Sequence, residues 1–313
     1  MTKLKLSCLR TTVSLLLGNI FSQSVQRLIL MASSDLNDNN GNKSVINLRL
    51  SQVTGDQEKT NDIFVCGQNK NCKEHIIYFG GDVQDYPENM ERHRDNKRYV
   101  KWNTESTAAL IHRKFPSSLV FVIKPTKMHL MTFAVYSNFF EANDFGSPTH
   151  SRDAGAIKHL SCLYRSALKA VYQECEVISA IRVPIRLIGF SKGCTVLNQI
   201  VFELHLTEDD AGIRDFIKQI EAFYWLDGGH SGGPKNTWVT DDEALKRLAS
   251  LESHIFIHVS PYQIKDPMRK WIGQQEFKFY KKLFDFKAKV HEKEHFESED
   301  GCIENHFRVL EEF

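Results

Sequence analysis

A serine between two glycines carries the strongest chemical signal in this sequence. Gly189-Phe190-Ser191-Lys192-Gly193 has the pattern G-x-S-x-G, with an apolar run directly before it and an apolar helical run directly after it. In that context the pattern predicts a nucleophile elbow, a tight strand-to-helix turn that lifts the serine hydroxyl clear of a sheet. Glycines are needed because the turn is tight and the serine backbone is strained. The alternative interpretation is a plain strand-to-helix turn without chemistry.

A serine nucleophile needs a base, and the base needs an acid that orients it. In proteins with a nucleophile elbow of this kind, the acid follows the serine in the sequence and the histidine follows the acid. His306 comes after the last predicted strand and is predicted to be the base, whereas His295 lies in a run of charges that favours a solvated surface. Asp266 follows the penultimate strand, in a turn stiffened by Pro267, and is the preferred acid. Asp227, which follows the strand before that, is the alternative acid.

Two backbone N–H groups are expected to stabilise an oxyanion. The Lys192 N–H lies at a predicted helix N-terminus, where it can face developing negative charge. The second donor is expected near Gly81, because Gly80-Gly81 follows an early strand and lets the backbone approach a substrate. An ordinary Gly-Gly turn is the alternative there. The glycine-rich loop 227–233 lacks phosphate-binding spacing, and we expect it to shape the pocket wall, with His230 near the mouth.

Short apolar strands alternate with amphipathic helices through most of the chain. Apolar runs without polar alternation are typical of strands buried on both faces, and the alternation with helices predicts parallel pairing through right-handed crossovers. The expected fold class is therefore α/β, a three-layer sandwich around a mostly parallel sheet. Its active site should lie beyond the carboxyl ends of the strands. Strands are predicted at 75–79, 118–123, 183–188, 222–226, 254–259 and 286–290, and helices at 104–114, 153–174, 194–204 and 272–285.

The composition excludes several classes of protein. The 313 residues are 42% hydrophobic, which is enough for a buried core. Lys plus Arg is 40 and Asp plus Glu is 39, so no basic excess exists for nucleic acid binding. No apolar run reaches the roughly 20 residues of a transmembrane span. The seven cysteines include no CxxC pair, which argues against a disulfide framework and a thiolate metal site.

The N-terminal segment has the composition of a targeting sequence. No acidic residue precedes Asp35, and basic and hydroxyl-bearing side chains are frequent before it, as in mitochondrial presequences. The apolar stretch 13–21 also resembles a short secretory h-region, so secretion is the alternative. We expect residues 1–30 to be a mitochondrial targeting segment, 31–61 a polar linker and 62–313 a single domain. The basic residues of the segment are Lys3, Lys5, Arg10 and Arg27.

Six sequence blocks together resemble the family of the human chromosome 2 open reading frame 69 protein. The resemblance runs from about residue 75 to the C-terminus. It implies an α/β-hydrolase-like fold and a mitochondrial protein tied to upkeep of the respiratory chain, and it supplies no substrate. The blocks are YFGGDVQ (78–84), LIGFSKGC (187–194), YWLDGGHSGG (224–233), NTWV (236–239), DPMRKWIG (266–273) and IENHFRV (303–309).

Two functions are open at this point. The first is a serine hydrolase in the mitochondrial matrix that cleaves an ester, thioester or amide of a small acyl-type substrate. Ser191 would attack the acyl carbon, His306 would move the proton, and Asp266 or Asp227 would orient the imidazole, with no cofactor or metal required. The second is a non-catalytic hydrolase-fold protein that binds a mitochondrial protein partner. The ordered set of catalytic residue types favours the hydrolase, and the absence of an obvious acyl-binding signature leaves the second function open.

Overall fold

An eight-stranded sheet runs through the protein, whose computed structural model describes residues 45–68, 72–172, 183–229, 232–234 and 237–313. The predicted targeting segment lies outside the described residues. The strands are β1 (Val45–Thr54), β2 (Thr60–Gln68), β3 (Glu74–Phe79), β4 (Ser118–Ile123), β5 (Lys127–His129), β6 (Phe133–Val135), β7 (Glu141–Ala142), β8 (Pro148–Thr149), β9 (Ile185–Phe190), β10 (Ile220–Leu226), β11 (His254–Val259) and β12 (Lys289–Glu294). In the sheet their order is β1-β2-β4-β3-β9-β10-β11-β12, and β5-β6 and β7-β8 form two separate pairs.

Helices cover both faces of the sheet. Because successive strand residues face opposite sides, Ile77 and Leu187 join one apolar cluster while Tyr78 and Ile188 join another. Helices α3 and α4 pack in the first cluster, and α2 and α9 pack in the second. The described α-helices are α1 (Pro87–Arg92), α2 (Thr104–Lys114), α3 (Ala156–Tyr172), α4 (Cys194–Glu203), α5 (Ala211–Ile217), α6 (Asp242–Ser250), α7 (Pro261–Ile264), α8 (Trp271–Asp285) and α9 (Ile303–Glu312).

The central strands run parallel, and the carboxyl ends of neighbouring strands lie side by side. β4, β3, β9, β10, β11 and β12 pair in parallel, whereas β2 is antiparallel to both β1 and β4. The register places Phe79 opposite Gly189, and Leu226 opposite both Phe190 and His258. The residues that directly follow β3, β9 and β10 therefore emerge at one edge of the sheet. The predicted α/β sandwich with a mostly parallel sheet is confirmed.

Both edge strands differ from the sequence prediction. The folded domain begins before residue 62, because Val45–Thr54 of the predicted linker pairs with β2 as an edge strand. The last strand is Lys289–Glu294 rather than 286–290. The two edge strands are largely exposed and rich in polar side chains, so β1 resembles a linker and β12 a charged surface segment.

Several histidines are buried inside the protein. Burial lowers their pKa well below the value near 6.5 of a solvated imidazole. His75 Nδ1 lies 2.6 Å from the Tyr164 hydroxyl, and His258 Nδ1 lies 2.8 Å from His295 Nε2. The folded protein thus favours the uncharged form of these rings. The pKa is about 4 for His75, His150, His159 and His295, and about 3 for His258.

We expect these histidines to make the protein less stable in mild acid. Their stabilising effect is fully present above the unfolded-state pKa and is lost as the pH falls from about 6.5 towards 4, because the unfolded chain binds the protons more tightly. Each group contributes a slope of at most about 1.4 kcal/mol per pH unit. Urea unfolding of wild type and His75→Gln between pH 8 and 5 measures it. The variant should show the shallower dependence, and identical slopes would contradict the prediction.

Candidate active site

Ser191 lies in a strained turn between β9 and α4. Its φ is 52°, in the left-handed region that residues with a side chain seldom adopt. A Cβ atom at Gly189 would lie 2.8 Å from Cys194 Cα, and one at Gly193 would lie 2.0 Å from the Phe79 carbonyl oxygen. Both positions therefore require glycine, and the surrounding contacts hold Ser191 in its conformation. The turn has the geometry expected of a nucleophile elbow.

Asp227 and His306 form a buried hydrogen-bonded pair. The His306 Nδ1 atom lies 2.6 Å from Asp227 Oδ2, although the two residues are far apart in sequence. The carboxylate also accepts hydrogen bonds from the Ser260 N–H at 2.7 Å and the Ser260 hydroxyl at 2.6 Å. Because a carboxylate only accepts, this hydrogen bond places a proton on Nδ1 and leaves Nε2 available as a base.

Asp266 bonds elsewhere, so its predicted pairing with His306 is wrong. Its carboxylate accepts hydrogen bonds from Arg269 Nε at 2.6 Å and from the Met268 N–H at 2.8 Å. The hydrogen bond from Arg269 lowers the pKa of Asp266. The physical reason is distance along the chain: helix α7 separates Asp266 from the end of β11, whereas Asp227 directly follows β10. The alternative acid, Asp227, takes the position.

Aromatic side chains fix the His306 ring next to the elbow. Its centroid lies 4.6 Å from that of Phe190 in a stacked arrangement and 5.1 Å from that of Tyr262. His306 is 5% exposed and Ser191 is 8% exposed, so both are largely enclosed. Within the described residues no hydrogen bond joins the Ser191 hydroxyl to the ring. Catalytic hydrogen bonds are often longer without substrate. A hydrogen bond from the Ser191 hydroxyl to the His306 ring would complete a serine–histidine–aspartate triad.

The loop after β3 lies directly against Ser191. A Cβ atom at Gly81 would be 2.7 Å from Ser191 Cβ and 3.2 Å from its Oγ, so only glycine permits this approach. The Gly81 N–H donates to Gln84 Oε1 at 3.0 Å, and the Tyr78 hydroxyl donates to the same oxygen at 2.7 Å. The expectation that Gly81 supplies an oxyanion donor is therefore wrong, because the Gly81 N–H is already hydrogen-bonded to the Gln84 side chain.

Asp82 follows in the same loop and is a residue whose position the sequence did not reveal. Its N–H has no hydrogen-bond partner among the described residues. Its Oδ1 accepts from the Ala134 N–H at 2.8 Å, and its Oδ2 lies 3.7 Å from Lys192 Nζ. The next residue, Val83, has a φ of 74°, which is strained for a β-branched side chain. The only sequence signal was an acidic residue directly after two glycines.

The Lys192 side chain is buried, whereas the sequence predicts a role only for its backbone N–H. It is 1% exposed, and its Nζ donates to the Phe145 carbonyl oxygen at 3.1 Å. The main-chain N–H stands at the start of the short helical turn Ser191–Gly193 that leads into α4. The expected position at a helix N-terminus is thus observed, and the role of this N–H beside an oxyanion stays a prediction.

The second glycine-rich loop is described only in part. His230 and its predicted place near the pocket mouth lie outside the described residues, and the wall-forming role of 227–233 stays a prediction. The Gly229 carbonyl accepts from Gln263 Nε2 at 2.9 Å, and a Cβ atom there would lie 2.1 Å from Gln263 Oε1. This loop therefore packs closely on α7.

In the described parts of the chain, no group of three or more His, Cys, Asp or Glu side chains is placed to hold a metal ion. None of the helices in these same parts combines the length and the apolar character needed to cross a membrane.

The fold and the site define an α/β-hydrolase-like protein. The family model C2orf69 matches residues 49–180 and 167–289, and the chain belongs to the C2orf69 family. The mitochondrial protein C2orf69 homolog of Mus musculus is 38% identical over 316 residues, covering 85% of this chain and 86% of the relative. Mitochondrial protein C2orf69 of Homo sapiens is 40% identical over 285 residues, covering 76% and 74%.

Solved structures resemble the chain more distantly. The structure of esterase Est22 with p-nitrophenol aligns with a TM-score of 0.46 and 13% identity, over 86% of this chain and 78% of the esterase.

We expect Gly193→Ala to destabilise the protein by about 1–3 kcal/mol, the usual cost of overpacking. The added Cβ would overlap the Phe79 carbonyl oxygen, which is backbone and cannot move without shifting β3. Gly233→Ala is the matched control, because a Cβ there meets nothing within 4 Å. Urea unfolding measures both variants, and equal stabilities of Gly193→Ala and Gly233→Ala would contradict the packing argument.

Proposed function

We propose that the protein is a serine hydrolase that cleaves an ester, thioester or amide of a small acyl-type substrate. The observation that carries the proposal is the 2.6 Å hydrogen bond between Asp227 and His306, formed beside the strained turn at Ser191. A nucleophile, a base and an orienting acid thus come from three separate segments to one edge of the sheet. A purely structural turn would need none of these three side chains there.

The reaction follows from the hydrogen-bonding capacity of each group. Ser191 Oγ attacks the acyl carbon while His306 Nε2 takes the hydroxyl proton, and Asp227 stabilises the resulting imidazolium through Nδ1. The imidazolium then gives its proton to the leaving oxygen, sulfur or nitrogen as the acyl bond breaks. Water attacks the acyl-enzyme with His306 as base, which releases the acid and restores the Ser191 hydroxyl.

The oxyanion donors of this proposal are the Lys192 and Asp82 N–H groups. The Gly81 N–H is occupied by Gln84, and the Asp82 N–H is the next amide along the loop. It is separated by only two bonds from Gly81 Cα, which lies against Ser191. Donors at such positions contribute about 10²–10³ in rate each, because they face the charge that develops on the acyl oxygen.

We expect Ser191→Ala to abolish labelling by a fluorophosphonate probe while leaving the melting temperature nearly unchanged. Asp227→Asn should slow labelling by roughly 10²–10⁴-fold, because it removes the carboxylate that holds the ring and its charge. Asp266→Asn is the matched control and should label within about twofold of wild type, since Asp266 bonds to Arg269. The rate of covalent labelling of purified protein measures all three.

Two results would contradict the hydrolase proposal. One is equal labelling of wild type and Ser191→Ala. The other is rescue of respiration by Ser191→Ala in cells that lack the protein, which would favour the alternative of a non-catalytic, partner-binding protein.

We further propose that the protein acts in mitochondria, in the matrix, and supports respiratory-chain function. The mouse and human relatives are named mitochondrial proteins, and the acid-free, basic composition of residues 1–30 supports the same compartment. The link to the respiratory chain is supported by the family resemblance.

A fusion of residues 1–40 to a fluorescent reporter should enter mitochondria. The same fusion with Lys3, Lys5, Arg10 and Arg27 changed to glutamate should stay outside them, because import depends on the positive charge of the segment. Microscopy and cell fractionation measure the outcome. Reporter in the culture medium would instead support a secretory signal.

A further inference from the structure

A buried ion pair joins the two residues whose backbone N–H groups are the proposed oxyanion donors. Lys192 Nζ lies 3.7 Å from Asp82 Oδ2, so the elbow and the loop after β3 are connected through their side chains as well. Lys192 also donates to the Phe145 carbonyl oxygen, which ties the turn between β7 and β8 to the same ammonium group. Three segments that are distant in sequence thus meet at one cation.

The Lys192 ammonium is not placed to bind a substrate. At 1% exposure its side chain offers no surface to a ligand, whereas the Asp82 side chain is 29% exposed. Burial lowers the pKa of Lys192 and raises that of Asp82, and in each case the charge of the partner opposes the shift. Each group therefore depends on the other for its charge, and the pair acts inside the protein.

Asp82 is held from a second side by the segment around β6. Its Oδ1 accepts from the Ala134 N–H at 2.8 Å, and the Val83 N–H donates to the Thr132 carbonyl at 2.7 Å. The Tyr136 hydroxyl donates to the Gly80 carbonyl at 2.9 Å. These bonds fix the loop to β6 but not to the elbow. In the described structure, the side-chain link between the loop and the elbow is the contact of Asp82 with Lys192.

We infer that Lys192 and Asp82 are positioning residues whose side-chain pair sets the separation of the two oxyanion-binding N–H groups. The inference rests on the proposed function and deepens it. Lys192 has a second effect there: it neutralises a carboxylate that would otherwise repel the oxyanion formed at the neighbouring amides.

The test compares Lys192→Met and Asp82→Asn in the full chain, with the fluorophosphonate rate resolved into the covalent step and the initial binding step. Both variants keep their backbone N–H groups, and Asp82→Asn keeps an acceptor for Ala134. We expect the covalent step to slow about 10–100-fold, less than for outright loss of a donor, with initial binding unchanged. Lys192→Met should be the slower, because it leaves the Asp82 charge uncompensated.

Two further variants separate positioning from stability. The double variant Lys192→Met/Asp82→Asn has no unpaired charge, so it should recover much of the melting temperature and still react slowly. Arg186→Met breaks the ion pair between Arg186 of β9 and Glu74 of β3. Arg186 lies on the strand that leads into the elbow, roughly 16 Å from Ser191 at about 3.3 Å per residue. This variant should leave both labelling constants unchanged. Wild-type rates in Lys192→Met or in the double variant would overturn the inference.

Hydrogen exchange gives a readout that does not depend on a reactive serine. In Lys192→Met the amides of residues 80–84 should exchange faster than in wild type, and in Arg186→Met they should not. Unchanged exchange in Lys192→Met would overturn the positioning role of the Lys192–Asp82 pair even if wild type reacts with the probe. If wild type is folded but unreactive while exchange rises as expected, the proposed hydrolase function fails and the Lys192–Asp82 pair stands as a link between the loop and the elbow.

Discussion

The site depends on the close approach of the turn after β9 to the end of β3. A Cβ atom at Gly193 would lie 2.0 Å from the Phe79 carbonyl oxygen, and one at Gly81 would lie 2.7 Å from Ser191 Cβ. The missing side chains let two neighbouring parallel strands end in loops that touch. This contact brings a nucleophilic hydroxyl and the amides of a second loop within one small volume. Everything else in the site is arranged around that volume.

The position of the acid depends on the sheet in a similar way. Asp227 has a φ of 47°, and its N–H donates to the His258 carbonyl at 2.6 Å, so contact between β10 and β11 continues one residue beyond the end of β10. Ser260 N–H and hydroxyl then bind the two carboxylate oxygens. The Ser260 hydroxyl and His306 Nδ1 share Oδ2, so these bonds direct that oxygen at His306. The orientation of the histidine is thus determined by the end of the sheet rather than by its own helix alone.

Sequence patterns predicted those parts of the site that local structure decides. Ser191 lies in a short motif whose glycines and flanking apolar runs are adjacent in the chain, and the central strands are continuous apolar runs. Which of Asp227 and Asp266 pairs with His306 depends on how many residues separate each acid from the end of its strand and on the path of those residues. The hydrogen bond from the Gly81 N–H to Gln84 depends on the rotamer of the Gln84 side chain. A sequence pattern reveals neither the path nor the rotamer, so these two features were not predictable.

The edge strands were predicted incompletely for a different physical reason: the sequence predicts a linker at β1, and it predicts the last strand at 286–290 rather than at Lys289–Glu294. β1 and β12 each have a neighbour on one side only, and their side chains are mostly exposed, so they lack the apolar runs that identify central strands. Apolar patterns in a sequence indicate which residues are buried, and they do not directly indicate the backbone conformation. A strand at an edge is therefore recognisable only from its pairing, which the register of β1 with β2 supplies.

Three of the eleven non-glycine residues with positive φ in the described part of the chain lie where the proposed chemistry would occur. Val83, Ser191 and Asp227 have φ values of 74°, 52° and 47°, and each lies at or just after the end of a central strand. Such conformations cost on the order of 1–3 kcal/mol each and persist only where the surroundings determine them. Here the surroundings are a sheet buried on both faces and the hydrogen bonds of Thr132, Ser260 and His258. Relaxing any one of the three residues would move an amide, a hydroxyl or a carboxylate away from the others, so the strain and the arrangement of the site have the same structural origin.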